Sequence, residues 1–340
     1  MQERNIFLDN VDVGEVITKK TAHFYNPLMQ LNRDISLCII NHFKPKRIGL
    51  PLSGTGVRAL RIASEVSLDE ECKIFVNDRK FEFNKLFSNL ANSNNIDLSR
   101  FEISNKDANI FMQENNPLDF IEIDPYGSPN NFLDSSFQSL KQKSFLSVTA
   151  TDTAPLCGTY PKACLRKYWA KPGRVKEMHE IGLRILIRKV QLIGAQYNFA
   201  VYPIVSYYKN HYFKVIFKCN VSKSLTNEVL TKHGMYDDFG PLWLGDLQDE
   251  EILSEMIKED LFPETTQFFE QLLEENKMEI GFVHVHSYAK ELKAPQIPKF
   301  EDIIAKASQS KINVCKTHFS RESLKSENKE ELKKIIQQLF

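Results

Sequence analysis

FAVYPIVSYYKNHYFKVIFKC, residues 199–219, decides the fold. It holds two β-rich runs with only Lys209 and Asn210 between them, and so short a connection permits only an antiparallel pair. Upstream, five further runs read as strands: RIGLPL (47–52), KIFVND (73–78), FEISNKD (101–107), DFIEID (119–124) and SFLSVTAT (144–151). Helical patterns at 56–66, 81–94 and 130–141, and a longer one through EMHEIGLRILIRKVQLIGAQ (177–196), supply the crossovers of a parallel, doubly wound sheet. The predicted fold is therefore α/β: a Rossmann-like sheet, parallel except for one antiparallel terminal strand. That is the sheet of the class I methyltransferases rather than of the dehydrogenases.

This domain, with the arm that precedes it, is expected to occupy residues 1–222. Residues 223–340 read as a smaller C-terminal α/β domain with acidic helices, a strand-like GFVHVHSYA and helices around 299–309 and 322–338. The 340 residues, 42% hydrophobic and 26% charged, suit two domains that each bury a core. No stretch approaches the roughly 18 apolar residues of a membrane span, and MQERNIFLDN has no apolar core like that of a signal peptide. A cytoplasmic location is expected, with no membrane contact and no obligate protein partner. Six cysteines without a CxxC pair write neither a disulfide framework nor a zinc ribbon, so no metal is expected.

The formal net charge is zero, but the charges are segregated. From Lys141 to Lys218 fourteen Lys or Arg face three acids, a balance suited to phosphates. Between Gly245 and Ile280 twelve acids face two lysines, as a solvated helix face would.

SGTGVR (53–58) follows the first strand of the sheet and opens a helix, where Ser53 and Gly54 let backbone amides approach a nucleotide-like ligand. GTGVRA also fits a dinucleotide fingerprint, and Asp78, ending the second strand, could hold a ribose of NAD or of S-adenosylmethionine. Asp107, ending the third, could bond an adenine amine while the N–H of Ala108 meets the ring; it could equally cap the helix that begins there.

Asp124-Pro125-Tyr126-Gly127-Ser128-Pro129 ends the fourth strand, at the edge where open α/β sheets place chemistry. An exocyclic base amine has its lone pair delocalised into the ring, so a carboxylate and a backbone carbonyl must accept its hydrogens. Asp124 and the carbonyl of Pro125 suit that task, and Tyr126 offers a face on which a base can stack. His284 and His286 have no linked ligand motif and are expected to be structural.

With these residues in place, the chain resembles the tRNA (guanine(26)-N2)-dimethyltransferase family. The resemblance rests on seven ordered segments: FYNPLMQLNRDIS (24–36), SGTGVRALR (53–61), IDPYGSPNNFLDS (123–135), TATDTAPLCGTYPKACLRKY (149–168), EMHEIGLRILI (177–187), GPLWLGDL (240–247) and KTHFSRESLK (316–325). It implies transfer of one or two methyls from S-adenosylmethionine to the N2 amine of guanine 26 in tRNA. It further implies that Asp124 is the catalytic acid, that Phe24 stacks on the guanine opposite Tyr126, and that Arg33, Arg58, Asp78, Asp107 and Ala108 bind the donor. Lys162, Arg166, Lys167, Lys171, Arg174 and Lys176 resemble a tRNA-contact insertion, and the second domain is expected to grip tRNA. Many relatives carry a zinc-binding cysteine cluster before GPLW, where this chain has only Cys219, and Phe is common where Tyr126 stands.

The competing expectations are an NAD-dependent oxidoreductase, which leaves DPYGSP and the basic insertion without a role, another nucleic-acid or protein amine methyltransferase, and a catalytically silent tRNA binder.

Overall fold

β-rich runs whose residues are apolar on both faces have to be covered on both sides, and here they form the middle layer of an α/β/α sandwich. The computed structural model describes residues 1–9 and 25–340. Seven strands form one sheet: β1 (Arg47–Leu50), β2 (Lys73–Asn77), β3 (Phe101–Ser104), β4 (Leu118–Ile123), β5 (Leu140–Ala150), β6 (Phe199–Lys209) and β7 (Tyr212–Val221). Their order is β3-β2-β1-β4-β5-β7-β6. The first five are parallel, with Ile48 opposite both Ile74 and Phe120 and Ile121 opposite Leu146. β7 runs antiparallel between β5 and β6, pairing Phe217 with Leu146 and Tyr212 with Lys209. The tight turn falls on Asn210 and His211, one residue later than expected; Asn210 has φ +52°, a left-handed conformation that asparagine tolerates.

The crossovers are α2 (Val57–Glu65), α3 (Phe83–Ser93), α4 (Ala108–Glu114) and α5 (Asn130–Ser139), flanked by α1 (Gln30–Phe43) before the sheet and by α6 (Pro161–Tyr168) and α7 (Met178–Gln196) after β5. Side chains alternate across β4, so Phe120 enters the core under α1 and α2, whereas Ile121 and Ile123 enter the core under α5 and α7. Glu122 shares the face of Phe120 and is nonetheless buried.

Beyond β7 come α8 (Lys223–Thr231), the hairpin β8 (His233–Tyr236) and β9 (Phe239–Trp243), α9 (Glu250–Glu259) and α10 (Pro263–Asn276). Trp243 joins one core of the sheet and Leu272 the other. A third, small core of Val283, Val285, Ile303, Leu324, Leu332 and Ile336 lies within the segment β10 (Val283–His284), α11 (Val285–Glu291), α12 (Phe300–Gln309), β11 (Val314–Thr317), β12 (Ser320–Ser326) and α13 (Lys329–Gln337). Glu180 of α7 joins this segment to the sheet: fully buried, it pairs with Arg184 and with Lys325 of β12 and accepts from the Gly281 N–H.

Two expectations for this end are corrected. GFVHVHSYA is a strand only at Val283–His284, because the His284 ring accepts from the Ser287 N–H and starts a helix. The helix expected over 322–338 is instead the strand β12 followed by α13.

Candidate active site

Five parallel strands end at one edge, and the loops after β1, β2 and β4 surround a cavity of about 310 Å³ there. That volume lies at the lower end of the range of small-molecule pockets, about 300–1,000 Å³. The glycine loop forms one wall. Ser53 is pinned by its hydroxyl to the Leu50 carbonyl (2.8 Å), and the Gly54 N–H donates to Asp78 Oδ2 (2.8 Å). Gly56 stands at φ +83°, and a Cβ there would lie 2.2 Å from the Phe87 ring, so this glycine is demanded by helix packing. Asp78 also accepts from the Lys80 N–H (3.0 Å).

The opposite wall is the loop Asp124–Pro129. The Gly127 N–H donates to Thr151 Oγ1 (2.7 Å), and the Thr151 N–H donates back to the Gly127 carbonyl (3.0 Å). Ser128 meets the Tyr168 hydroxyl (2.9 Å), which donates to Asp152 Oδ1 (2.6 Å). The loop is thereby tied to the chain after β5 and to α6. Tyr126 is 41% exposed, and partial burial together with the charges of Asp78 and Asp124 raises its phenol above the usual range. A ring that stays protonated beside two carboxylates is suited to stacking.

Asp124 does not stand alone. Arg58 Nη2 donates to its Oδ2 (2.7 Å), while Arg58 Nη1 lies 3.4 Å from Glu122 Oε2. Arg58 also donates to Ser36 Oγ (2.8 Å) and Asn32 Oδ1 (2.9 Å) of α1. Glu122 is 3% exposed, accepts from the hydroxyls of Ser36 (2.8 Å) and Ser147 (3.0 Å), and pairs with Lys214 of β7. Burial works against its charge, but Arg58 and Lys214 hold its carboxyl below the ordinary value.

Of the residues singled out from the sequence, Arg33, Ser53, Gly54, Arg58, Asp78, Asp124, Pro125 and Tyr126 line this one cavity. Arg33 is held by Glu3 (Nε to Oε1, 2.7 Å) and donates to the Asn26 carbonyl (3.0 Å). Phe24 lies outside the described residues. Asp107 and Ala108 are not in the cavity wall; Asp107 caps α4, accepting from the Asn109 N–H (2.9 Å). Sequence reasoning missed Glu122, Lys214, Asn32, Ser36 and Thr151, and the only signals were an acid inside the apolar run DFIEI and a lysine inside YFKVIF.

The basic residues Lys162, Arg166, Lys167, Lys171, Arg174 and Lys176 are all exposed. Among the described residues Lys167 alone of the six has an ion pair, with Asp152 (3.1 Å). Tyr160, Leu165 and Trp169 are exposed in the same stretch. All six cysteines are buried thiols. His284 and His286 both approach Glu322, and among the described residues no group of three or more His, Cys, Asp or Glu could hold a metal ion. Nor is any described helix long and apolar enough to cross a membrane.

A family model described as N2,N2-dimethylguanosine tRNA methyltransferase matches residues 5–238 and 233–337. The tRNA (guanine(26)-N(2))-dimethyltransferase of Pyrococcus horikoshii is 35% identical over 89% of this chain and 89% of its own length. The tRNA (guanine(26)-N(2)/guanine(27)-N(2))-dimethyltransferase of Aquifex aeolicus is 32% identical over 91% of this chain and 88% of its own. The solved structure of Trm1 from Pyrococcus horikoshii with S-adenosyl-L-methionine superposes with a TM-score of 0.84 at 32% identity, covering 94% of this chain and 96% of that one.

Proposed function

This chain belongs to the N2,N2-dimethylguanosine tRNA methyltransferase family, and from that premise we propose that its cavity joins an S-adenosylmethionine site to a guanine site built on Asp124, Pro125 and Tyr126. The protein is an S-adenosylmethionine-dependent methyltransferase of tRNA that acts on a guanine N2 amine. Within that activity we assign guanine 26 as the target. The observation that carries the site is the single cavity shared by the glycine loop and the Asp124 loop.

The residues present fit the donor. Gly54 brings backbone close to it, Asp78 offers a carboxylate to ribose hydroxyls, and Arg58 and Arg33 offer cations to its carboxylate. S-adenosylmethionine, when bound, supplies a methyl group on a sulfonium that is already activated for in-line displacement. What the chain must do is position the acceptor and take its proton. Asp124 accepts a hydrogen from the guanine amine, the Pro125 carbonyl accepts the other, and Tyr126 stacks on the base. Phe24 is proposed as the second stacking face, and Asp107 with Ala108 as the adenine contact at the end of β3. The exposed residues Lys162, Arg166, Lys167, Lys171, Arg174 and Lys176 are proposed to meet tRNA phosphates, with residues 223–340 as the second grip. A tRNA substrate supports a cytoplasmic location.

The test incubates purified protein with S-adenosylmethionine and an unmodified tRNA transcript bearing guanine 26, against a transcript with adenine there, followed by nucleoside mass spectrometry. Methylated N2 from the first transcript alone is expected; none from either removes the assignment. Because the Aquifex aeolicus relative is named for guanine 27 as well, a third transcript with guanine at both positions tests that second target.

A further inference from the structure

The floor of the cavity is charged and balanced. Glu122 lies in β4 and Asp124 just past its end, and two cations face them: Arg58 from α2 and Lys214 from β7. Lys214 is fully buried in the antiparallel strand; besides pairing with Glu122 it reaches Asn32 Oδ1 (3.2 Å) and Thr149 Oγ1 (3.5 Å). Asn32 in turn donates to Thr149 Oγ1 (3.1 Å) and accepts from Arg58. A buried carboxylate and a buried ammonium are each costly unless paired, so neither residue is at home there as mere filling.

Glu122 lines the cavity but is poorly placed to serve as a base. Both of its oxygens are engaged, Oε1 by Ser147 and Lys214, Oε2 by Ser36 and Arg58. The group it faces across the cavity floor is Arg58, and Arg58 is the cation that touches Asp124. We propose that Glu122 and Lys214 are positioning residues for methyl transfer: Lys214 neutralises Glu122, so that Arg58 is left to orient Asp124 toward the amine proton. This rests on Asp124 as the proton acceptor.

The consequence is a charge rule. Without Lys214 two carboxylates compete for one guanidinium, and either Arg58 swings toward Glu122 or one acid takes up a proton. Without Glu122 the ammonium of Lys214 loses its partner, and Arg58 loses one of the anions that fixes it. Removing both together restores the balance, because Arg58 and Asp124 remain as a matched pair.

Lys214→Met, Glu122→Gln and the double variant are therefore compared in steady-state methylation of tRNA, with donor affinity and Tm measured on each. Each single variant is expected to lose kcat by about 10-fold or more with the tRNA KM unchanged, and the double variant to recover to within about 5-fold of the native enzyme. A double variant as poor as the product of the two singles overturns the proposal, and so does a loss confined to KM. Should a single variant fail to fold, Ser147→Ala, which removes one hydroxyl from Glu122, is expected to lower kcat a few-fold at constant KM, and an unchanged kcat overturns the proposal. A native enzyme that methylates no tRNA would instead remove the assignment on which this rests.

Discussion

The cavity floor and the basic stretch from Lys162 to Lys176 both concentrate charge, and they hold it in opposite ways. On the floor, Arg58, Glu122 and Lys214 are buried, and every charge has a named partner at bonding distance. In the basic stretch the side chains are exposed, and five of the six have no ion pair among the described residues. Buried charges act through geometry, because their strength in a low dielectric makes one arrangement far better than the rest. Exposed ones act through number and are screened by salt, which suits contact with a long polyanion. Substitutions should be steep and specific in the first region, shallow and additive in the second.

Asp124→Ala puts the largest strain on that contrast. It is expected to lower kcat by about 10²–10⁴-fold while tRNA affinity stays within about twofold, measured by single-turnover methylation and filter binding. Gly56→Ala comes next, where a Cβ meets the Phe87 ring at a positive φ; a loss of about 2–4 kcal/mol in denaturant unfolding is expected, and native stability would show that α3 gives way. In the basic stretch Lys171→Ala with Arg174→Ala is expected to weaken tRNA binding roughly tenfold and to reduce the slope of log Kd against log salt by about 2, with kcat at saturating tRNA unchanged. Lys167 is a poorer probe, since its partner Asp152 also holds Tyr168 against the Asp124 loop. An unaltered salt slope would place the RNA elsewhere.

The smallest effect concerns a half-buried base whose ring bonds an amide rather than a carboxylate. His233 of β8 bonds Gln191 (2.8 Å), and burial, reinforced by Arg188, pushes its ring down to about 4. The folded ring is therefore neutral where the unfolded one, near 6.5, takes up a proton. Its contribution to stability is full above about pH 6.5 and is lost as the pH falls toward 4. His233→Asn is expected to flatten the fall of Tm over that interval, and an unchanged slope would assign the acid sensitivity elsewhere.

The sheet was legible from sequence because each strand of it is a short apolar run, bounded by polar residues, that needs no distant partner to be recognised. The shared cavity was legible for a similar reason: its walls are strand ends, and strand ends can be counted. Glu122 and Lys214 were not, since each is an isolated charge in an apolar strand, and only the pairing of β4 with β5 and of β5 with β7 brings them together. At the C-terminal end local pattern misled. The Val-His-Val-His alternation at 283–286 reads as a strand, but His284 caps a helix. RESLKS at 321–326 carries charges in helical spacing, yet it lies in a strand because Lys325 finds Glu180, 145 residues away.

That last contact bears on how far the molecule can be dissected. Glu180 sits in the first turn of the sheet domain's longest described helix, and its neutralisation comes partly from Lys325, 145 residues further along the chain. A version ending before Ser320 would keep all seven strands and the whole cavity and still lose the cation that balances a buried acid. In calorimetry the two halves should melt as one transition, and the methyltransferase sheet should resist isolation as a free-standing module.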